Sequence, residues 1–394
     1  MKKDIVIVGA GPAGLSFASS LESTGLRVLV VEKCSGATLA DPPVDGRDIA
    51  LTHLSRQILS ELGVWDRLPG DEIFPIRKAC VVDGKSPYLL QFDRDKGPEQ
   101  DLGFLVSNHL LRKALHERVN GCENIQLLTG TTAISVVADR DGAQVSLSNE
   151  QMVNASLVVA ADSRFSEIRR NTGIPTSMHD FGRVAIVCRM KHRESNQATA
   201  WECFHYGQTL AVLPLSEYES SIVITAPTDR ADHFMSQPVS EFNQDVEQQF
   251  GDKLGAMDLI GERFAYPLVA VWANRFVGSR FAVIGDAAVG MHPVTAHGFN
   301  LGLRGQHTLA GLVRSAAGAG RDISSDSLLK RYESTHRRAA RPIYLGTNAI
   351  VKLFTNDLPL HRLARKAVLH FGNAFPPIRQ VITNQLTETT GQPG

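Results

Sequence analysis

The sequence predicts an α/β fold in which a Rossmann-like dinucleotide-binding unit is assembled from separated stretches, beside a β-sheet layer and a helical C-terminal part. Three observations carry this. Residues 4–8 (DIVIV) form a β-branched run, residues 12–24 have helical composition, and residues 27–32 (RVLVVE) are again a buried-strand run, which together read as βαβ. Strand-like runs recur at 156–160 and 280–285, each leading into small or acidic residues, where a parallel strand ends beside a ligand. Between them, residues 181–226 hold the alternating stretches AIVCRM, TLAVLPL and SSIVITA, antiparallel strands of a second layer. After residue 300 the pattern is helical, and the polar tail TETTGQPG is expected to fray.

A chain of 394 residues, 43% hydrophobic and 21% charged, buries a large core and makes two or three structural units. Lys plus Arg equals Asp plus Glu at 41 each, so nothing draws the chain to a polyanion, and nucleic acid is not expected as a partner. Cys34, Cys80, Cys122, Cys188 and Cys203 are scattered without CxxC or His/Cys ligand spacing, which predicts neither disulfides nor a metal site and fits a reducing, cytoplasmic compartment. The N-terminus is too short in apolar residues for a signal segment, and no later run reaches the length of a membrane span.

The chemistry begins at Gly9-Ala10-Gly11-Pro12-Ala13-Gly14, directly after the first strand and opening the helix. Gly9 permits the tight turn, Gly11 lets the backbone approach a pyrophosphate at the helix N-terminus, and Gly14 allows close helix-to-strand packing. Glu32, at the end of the second strand with Lys33 after it, is placed to accept from ribose hydroxyls. An acid there disfavours a 2′-phosphate, leaving FAD or NAD. No second strand-GxGxxG-helix unit follows, since GAGR at 318–321 fails the pattern.

Residues 281–302 read FAVIGDAAVGMHPVTAHGFNLG: a strand ending in Gly285-Asp286, a small-residue turn, His292-Pro293, then His297-Gly298-Phe299-Asn300 before a helix. Taken singly, Asp286 also reads as a helix N-cap and His292 as a loop histidine. Together they resemble the second FAD fingerprint of the flavin-dependent aromatic hydroxylases, in which the aspartate meets the ribityl chain while the proline and the following helix N-terminus face the flavin ring. Residues 157–169 (LVVAADSRFSEIR) resemble that family's third motif at Asp162 and Arg169, with Ser163 standing where glycine is usual. Arg47 and Arg112 match positions that contact the flavin or its phosphates, whereas His53 and His109 read as ordinary core or surface histidines. Within the family the resemblance is to the ubiquinone-biosynthesis hydroxylases, through DGRDIAL, HPVTAHGFNLGLRG and RYESTHRRAARPIYLGTNAIVKLFTND. Val289, and Thr295-Ala296-His297 in place of the usual Ala-Gly-Gln, depart from the group's pattern.

The resemblance implies a Rossmann-like FAD-binding domain over residues 1–70, 101–180 and 273–345, a substrate-binding β-sheet domain over 71–100 and 181–272, and a C-terminal helical segment over 346–394. It implies hydroxylation of a polyprenylated phenol or quinol through a flavin hydroperoxide, with O2 and NAD(P)H or another electron donor, and His292, Pro293 and His297 next to the flavin. The alternatives are an FAD-dependent reductase or dehydrogenase of prenyl lipids and a non-catalytic prenyl-lipid escort; the intact GAGPAG, Glu32 and GDAA argue against the escort. A halogenase is disfavoured because Trp65, Trp201 and Trp272 lie in no WxWxI segment. A prenylated substrate also calls for a membrane surface or a biosynthetic complex, at the periphery of the inner membrane. Leu360, Leu363, Ala367, Val368 and Phe371 recur near helical spacing with Arg362, Arg365 and Lys366 between them. Residues 351–381 carry five basic residues against one acid, a net +4 suited to an anionic bilayer, although an amphipathic helix packed on the protein's own core reads equally from the pattern.

Overall fold

The β-branched run Ile5–Val8 takes the centre of a six-stranded sheet in the computed structural model, which describes residues 1–84, 89–93, 101–205, 207–292 and 297–355. It pairs in parallel with Val28–Val31 on one side and Leu157–Ala160 on the other, Ile5 standing opposite both Val28 and Leu157. Phe281–Val283 and Ile125–Leu128 extend the sheet outward, and Val277–Gly278 adds an antiparallel edge. Every residue of the three central strands is buried, as expected of a parallel sheet covered on both faces. Leu157–Ala160 and Val28–Val31 leave opposite sides of Ile5–Val8, so a crevice opens at the carboxyl ends of the strands, where Gly9 and Ala161 meet.

The first helix is shorter than the composition of 12–24 suggests. Pro12–Ser19 ends where the Ser20 hydroxyl turns back to the carbonyl of Ser16, and a 3-10 turn, Glu22–Thr24, leads to Gly25 in the left-handed region. Asn108–Asn120 and His297–Gly318 pack beside it. A meander of Ala133–Ala138, Ala143–Leu147 and Met152–Ala155 adds Val136, Val145 and Val153 to the same core.

The second layer is an eight-stranded sheet. Its spine is two 17-residue strands, Thr176–His192 and Met257–Ala273, paired antiparallel from Thr176 opposite Ala273 to His192 opposite Met257. Glu219–Pro227, Gln208–Pro214, Thr199–His205, Lys78–Asp83 and Leu89–Asp93 follow on one side, and Val289–Gly290 lies on the other. The alternation in AIVCRM divides the two faces. Ile186, Cys188 and Met190 meet Phe234, Phe242 and Phe250 of the covering helices Thr228–Ser236 and Val239–Phe250. Ala185 and Val187 point the other way, with Val223 and Tyr266. That second face turns toward the segment 45–48: the Tyr266 hydroxyl donates to the carbonyl of Asp45 at 2.6 Å, and Arg189 pairs with Asp48 at 2.8 Å. A small sheet of Asp48–Leu51, Gly103–Ser107 and Ile73–Ile76 belongs to the same region.

The long helix Asp326–Thr355 is anchored by buried Tyr332, whose hydroxyl donates to the carbonyl of Val283 at 2.7 Å. The stretch from Leu360 to Phe371 lies outside the described residues. Among the described residues no helix is long and apolar enough to cross a membrane, and all five cysteines are free thiols.

Candidate functional site

The turn after the first strand is built so that only glycine fits twice. Gly9 has φ +105°, and a Cβ there would lie 2.5 Å from the carbonyl oxygen of Ala161. A Cβ on Gly14 would lie 2.0 Å from the carbonyl oxygen of Gly9, which presses the helix onto the turn. Gly11 differs: nothing stands within 4 Å of a Cβ built on it. It is the N-cap of Pro12–Ser19, with Pro12 as first helical residue and no side chain capping the first turn. The N–H groups of Ala13 and Gly14 thus head a helix end that faces open space, a setting suited to a phosphate.

Glu32 closes the other side of the turn, accepting from the Ala10 N–H at 2.7 Å and the Cys34 N–H at 2.9 Å. A carboxylate has about four acceptor positions, so two stay available to ribose hydroxyls. Lys33 is exposed. Arg112 is half-buried beside the loop at Cys34, with no hydrogen bond or ion pair to its guanidinium among the described residues, which fits an anion supplied from outside the chain. Arg47 has its own anion, Asp45 at 2.6 Å, and lies over the ring of Tyr266.

The second fingerprint meets the first directly. A Cβ on Gly285, at φ +59°, would lie 2.7 Å from Cβ of Ala13, and one on Gly302 would lie 3.3 Å from Cα of Gly285. Asp286 caps no helix; its carboxylate accepts from Arg164 Nη2 at 2.8 Å and Nε at 3.2 Å. Arg164 is absent from the sequence reading, its only signal being a basic residue inside the third motif. Asp162 lies at the crevice through its backbone, but its carboxyl accepts from the Ser166 hydroxyl at 2.5 Å and the Glu167 N–H at 3.1 Å. It therefore holds the start of Glu167–Asn171, and burial raises its pKa. Ser163 lies at φ +94°, a region that favours glycine.

Beyond this turn, His292 is buried edge-on to Phe181 at 4.8 Å, and desolvation pushes its pKa down to about 4, so the ring is neutral. Pro293 lies outside the described residues. His297 begins the helix His297–Gly318 at 6% exposure, with neither ring nitrogen hydrogen-bonded among the described residues. A Cβ on Gly298 would meet open space, and Phe299 packs on the core. Asn300 spends its amide on backbone, donating to the Ala50 carbonyl at 2.8 Å and accepting from the Thr52 N–H at 3.1 Å. It ties the helix to the strand Asp48–Leu51.

A parallel sheet with an uncapped helix end at its crevice, an acid at the end of the next strand and a second glycine turn pressed onto the first defines a dinucleotide-binding flavoprotein. Among the described residues, the ring nitrogens of His297 and the guanidinium of Arg112 have no partner, and with the open cradle at Gly11 they fit FAD. The chain belongs to the family described as FAD binding domain, which matches residues 2–344, and within it to the ubiquinone-biosynthesis hydroxylases. It is 48% identical to the ubiquinone hydroxylase UbiM of Neisseria meningitidis over 98% of this chain and 85% of that protein. It is 35% identical to the ubiquinone hydroxylase UbiL of Rhodospirillum rubrum over 96% of this chain and 88% of that one. Among solved structures, p-nitrophenol 4-monooxygenase PnpA from Pseudomonas putida shares the fold at a TM-score of 0.76 and 17% identity, covering 98% of both chains. The protein is an FAD-dependent monooxygenase.

Proposed function

We propose that this chain hydroxylates the aromatic ring of a polyprenylated phenol or quinol in ubiquinone biosynthesis, taking electrons from NAD(P)H or another reduced donor. The observation that carries the substrate class is 48% identity to a ubiquinone hydroxylase over 98% of the chain. Geometry supports it: opposite the helix-covered side of the large sheet, Val223 and Tyr266 are apolar or aromatic and only half-buried, a surface suited to a ring with an isoprenoid tail. Bound FAD, once reduced, supplies the oxygen activation.

The chain's own residues hold and orient. The Gly9–Gly14 turn and Arg112 take the pyrophosphate, Glu32 the ribose, and Asp286 the ribityl chain while it keeps Arg164. The helix end at His297 and Gly298 places partial positive charge beside the flavin ring, where negative charge develops on reduction. His297 hydrogen-bonds flavin or substrate, and neutral His292 walls the pocket against water. The basic stretch around Arg362, Arg365 and Lys366 docks the protein on an anionic membrane surface, from which the prenylated substrate enters.

The test is turnover of the FAD-loaded protein under isotopically labelled O2 with a short-chain prenylated phenol and a reduced nicotinamide. One labelled oxygen on the ring is the expected product. A product reduced in its prenyl chain and carrying no label overturns the reading in favour of a reductase.

A further inference from the structure

The register of the large sheet lines up one row of side chains across seven strands. Phe264 stands opposite Val187, Val187 opposite Val223, Val223 opposite Ala211, Ala211 opposite Glu202, Glu202 opposite Val81, and Val81 opposite Leu90. Six of the seven are apolar. Side chains alternate along a strand, and Trp201 and Cys203 point into the core beneath the helices, so Glu202 points to the opposite side. On that side Val187 and Val223 belong to one apolar cluster and Val81 and Leu90 to another, and Glu202 falls between them. Phe264, at one end of the row, approaches Gly46, beside Arg47. Val223 and Glu202 each have strands on both sides and still keep some accessible surface.

A lone carboxyl in an apolar row is costly unless something offsets its burial. Among the described residues, the polar group that acts on it is the Thr209 hydroxyl, on the neighbouring strand. The charged groups nearest this side are engaged elsewhere: Arg189 with Asp48, Arg47 with Asp45, and Arg183 with the carbonyl of Gly207. His109 lies by Arg189 and Asp48, and Asp83, further along the strand of Val81, has its own partner. Cys80, Cys203 and Lys253 influence one another, Lys253 lying over the ring of Trp201 on the helix-covered side. Of these groups Cys203 is the one that interacts electrostatically with Glu202, and desolvation pushes the Glu202 carboxyl up to about 8. At neutral pH the group is therefore mainly a carboxylic acid, a donor as well as an acceptor.

We infer that Glu202 is a substrate-positioning residue, hydrogen-bonding to a hydroxyl of the ring that undergoes hydroxylation and selecting a phenol or quinol over a ring without a free hydroxyl. The inference rests on the hydroxylase reading and adds to it the group that recognises the ring. An apolar face accepts the prenylated ring but does not orient it; one polar contact in an apolar row does both, because a ring lacking the hydroxyl gives a carboxylate nothing to accept from.

The test uses the FAD-loaded full chain and two soluble probes, ortho-prenylphenol and its methyl ether, with binding measured by equilibrium dialysis near neutral pH. The native protein is expected to bind the phenol roughly tenfold more tightly than the ether. Glu202→Leu abolishes that preference, Glu202→Gln keeps most of it, and FAD occupancy stays equal in all three. Raising the pH to about 9 ionises the carboxyl, which then accepts from the phenol O–H and offers nothing to the ether oxygen, so the phenol preference of the native protein widens while that of Glu202→Gln stays unchanged, since a phenol is still largely protonated there. No phenol preference in the native protein, an undiminished preference in Glu202→Leu, or the same pH response in Glu202→Gln overturns the assignment. If Glu202→Leu does not fold, the pH comparison decides by itself. The labelled-oxygen assay reports separately on whether the ring is hydroxylated, so failure of this inference and failure of the hydroxylase reading give different results.

Discussion

Arg169 donates from Nη1 to the carbonyl oxygen of Ala287 at 2.7 Å, joining the third motif to the second fingerprint across 118 residues of chain. The same guanidinium donates to the carbonyl of Arg164 at 3.2 Å, and Arg164 in turn holds Asp286. Arg169 is 1% exposed, and burial lowers its pKa, partly offset by Asp162. A buried cation held mainly by carbonyl dipoles is an expensive arrangement, retained where it fixes a turn. Here the turn is Gly285–Ala287, against which the first helix packs.

Arg169→Met is therefore expected to destabilise the protein by about 2–4 kcal/mol, because two buried carbonyls lose their donor. FAD should also stabilise the variant less than it stabilises the native chain. Thermal melts with and without added FAD measure both, and a native-like melt with unchanged FAD response would reduce Arg169 to a bystander.

Ser163 carries a side chain in a conformation that favours glycine, at φ +94°. Relief of that strain, less the entropy that glycine adds to the unfolded chain, predicts that Ser163→Gly stabilises by about 0.5–1 kcal/mol. Urea titration checks this. A destabilised variant would mean that the serine hydroxyl contributes more than its backbone costs.

The fold class was legible because its signals are local: a β-branched run, a glycine turn and an acid at the next strand end make βαβ within about thirty residues. Alternation likewise marked the strands of the second layer. Pairings across the fold leave no local trace. Asp286 to Arg164 spans 122 residues and Asn300 to Ala50 spans 250, and in both cases the polar side chain is committed to a protein partner that no motif names. Glu202 was invisible for a related reason. A glutamate in a strand reads as a solvent-facing residue, and only the register, which sets six apolar side chains in its row, reveals where it points.

Asp286→Ala should lower FAD affinity by about 1–3 kcal/mol, the range for a hydrogen bond to a charged acceptor. The pairing with Arg164 adds a second expectation. Arg164→Met leaves Asp286 without its donor and should weaken FAD binding less than Asp286→Ala does, since the acceptor itself remains. Fluorescence titration of both variants ranks them, and unchanged affinity in Asp286→Ala would confine that residue to its ion pair.

His292 and His336 are both buried, and desolvation pushes each from 6.5 down to about 4. The sign follows from proton uptake: below 6.5 the unfolded chain binds protons that the folded chain refuses until about 4. Stability is complete above 6.5 and is lost as pH falls from there toward 4. His336→Gln should flatten this acid limb while leaving the melt above pH 7 less affected by pH than by lost packing against Tyr332. Melting temperature against pH for both proteins tests it, and parallel curves would assign the acid limb to other groups.

Gly11 and Gly14 of the first fingerprint should fail differently when substituted. At Gly14 a Cβ would lie 2.0 Å from a backbone oxygen of Gly9, which cannot move without breaking the turn, so Gly14→Ala is expected to impair folding itself. At Gly11 a Cβ meets nothing within 4 Å, and the backbone lies at φ −73°, a value any residue adopts. Gly11→Val should therefore fold, with circular dichroism and a melt close to those of the native chain. Its side chain would nonetheless fill the space before the uncapped helix end, where a phosphate must come within hydrogen-bonding distance of the N–H groups. The expected protein is folded and colourless. Full FAD occupancy in Gly11→Val would place the pyrophosphate away from this helix end, whereas an unfolded Gly11→Val would contradict the open space around the residue.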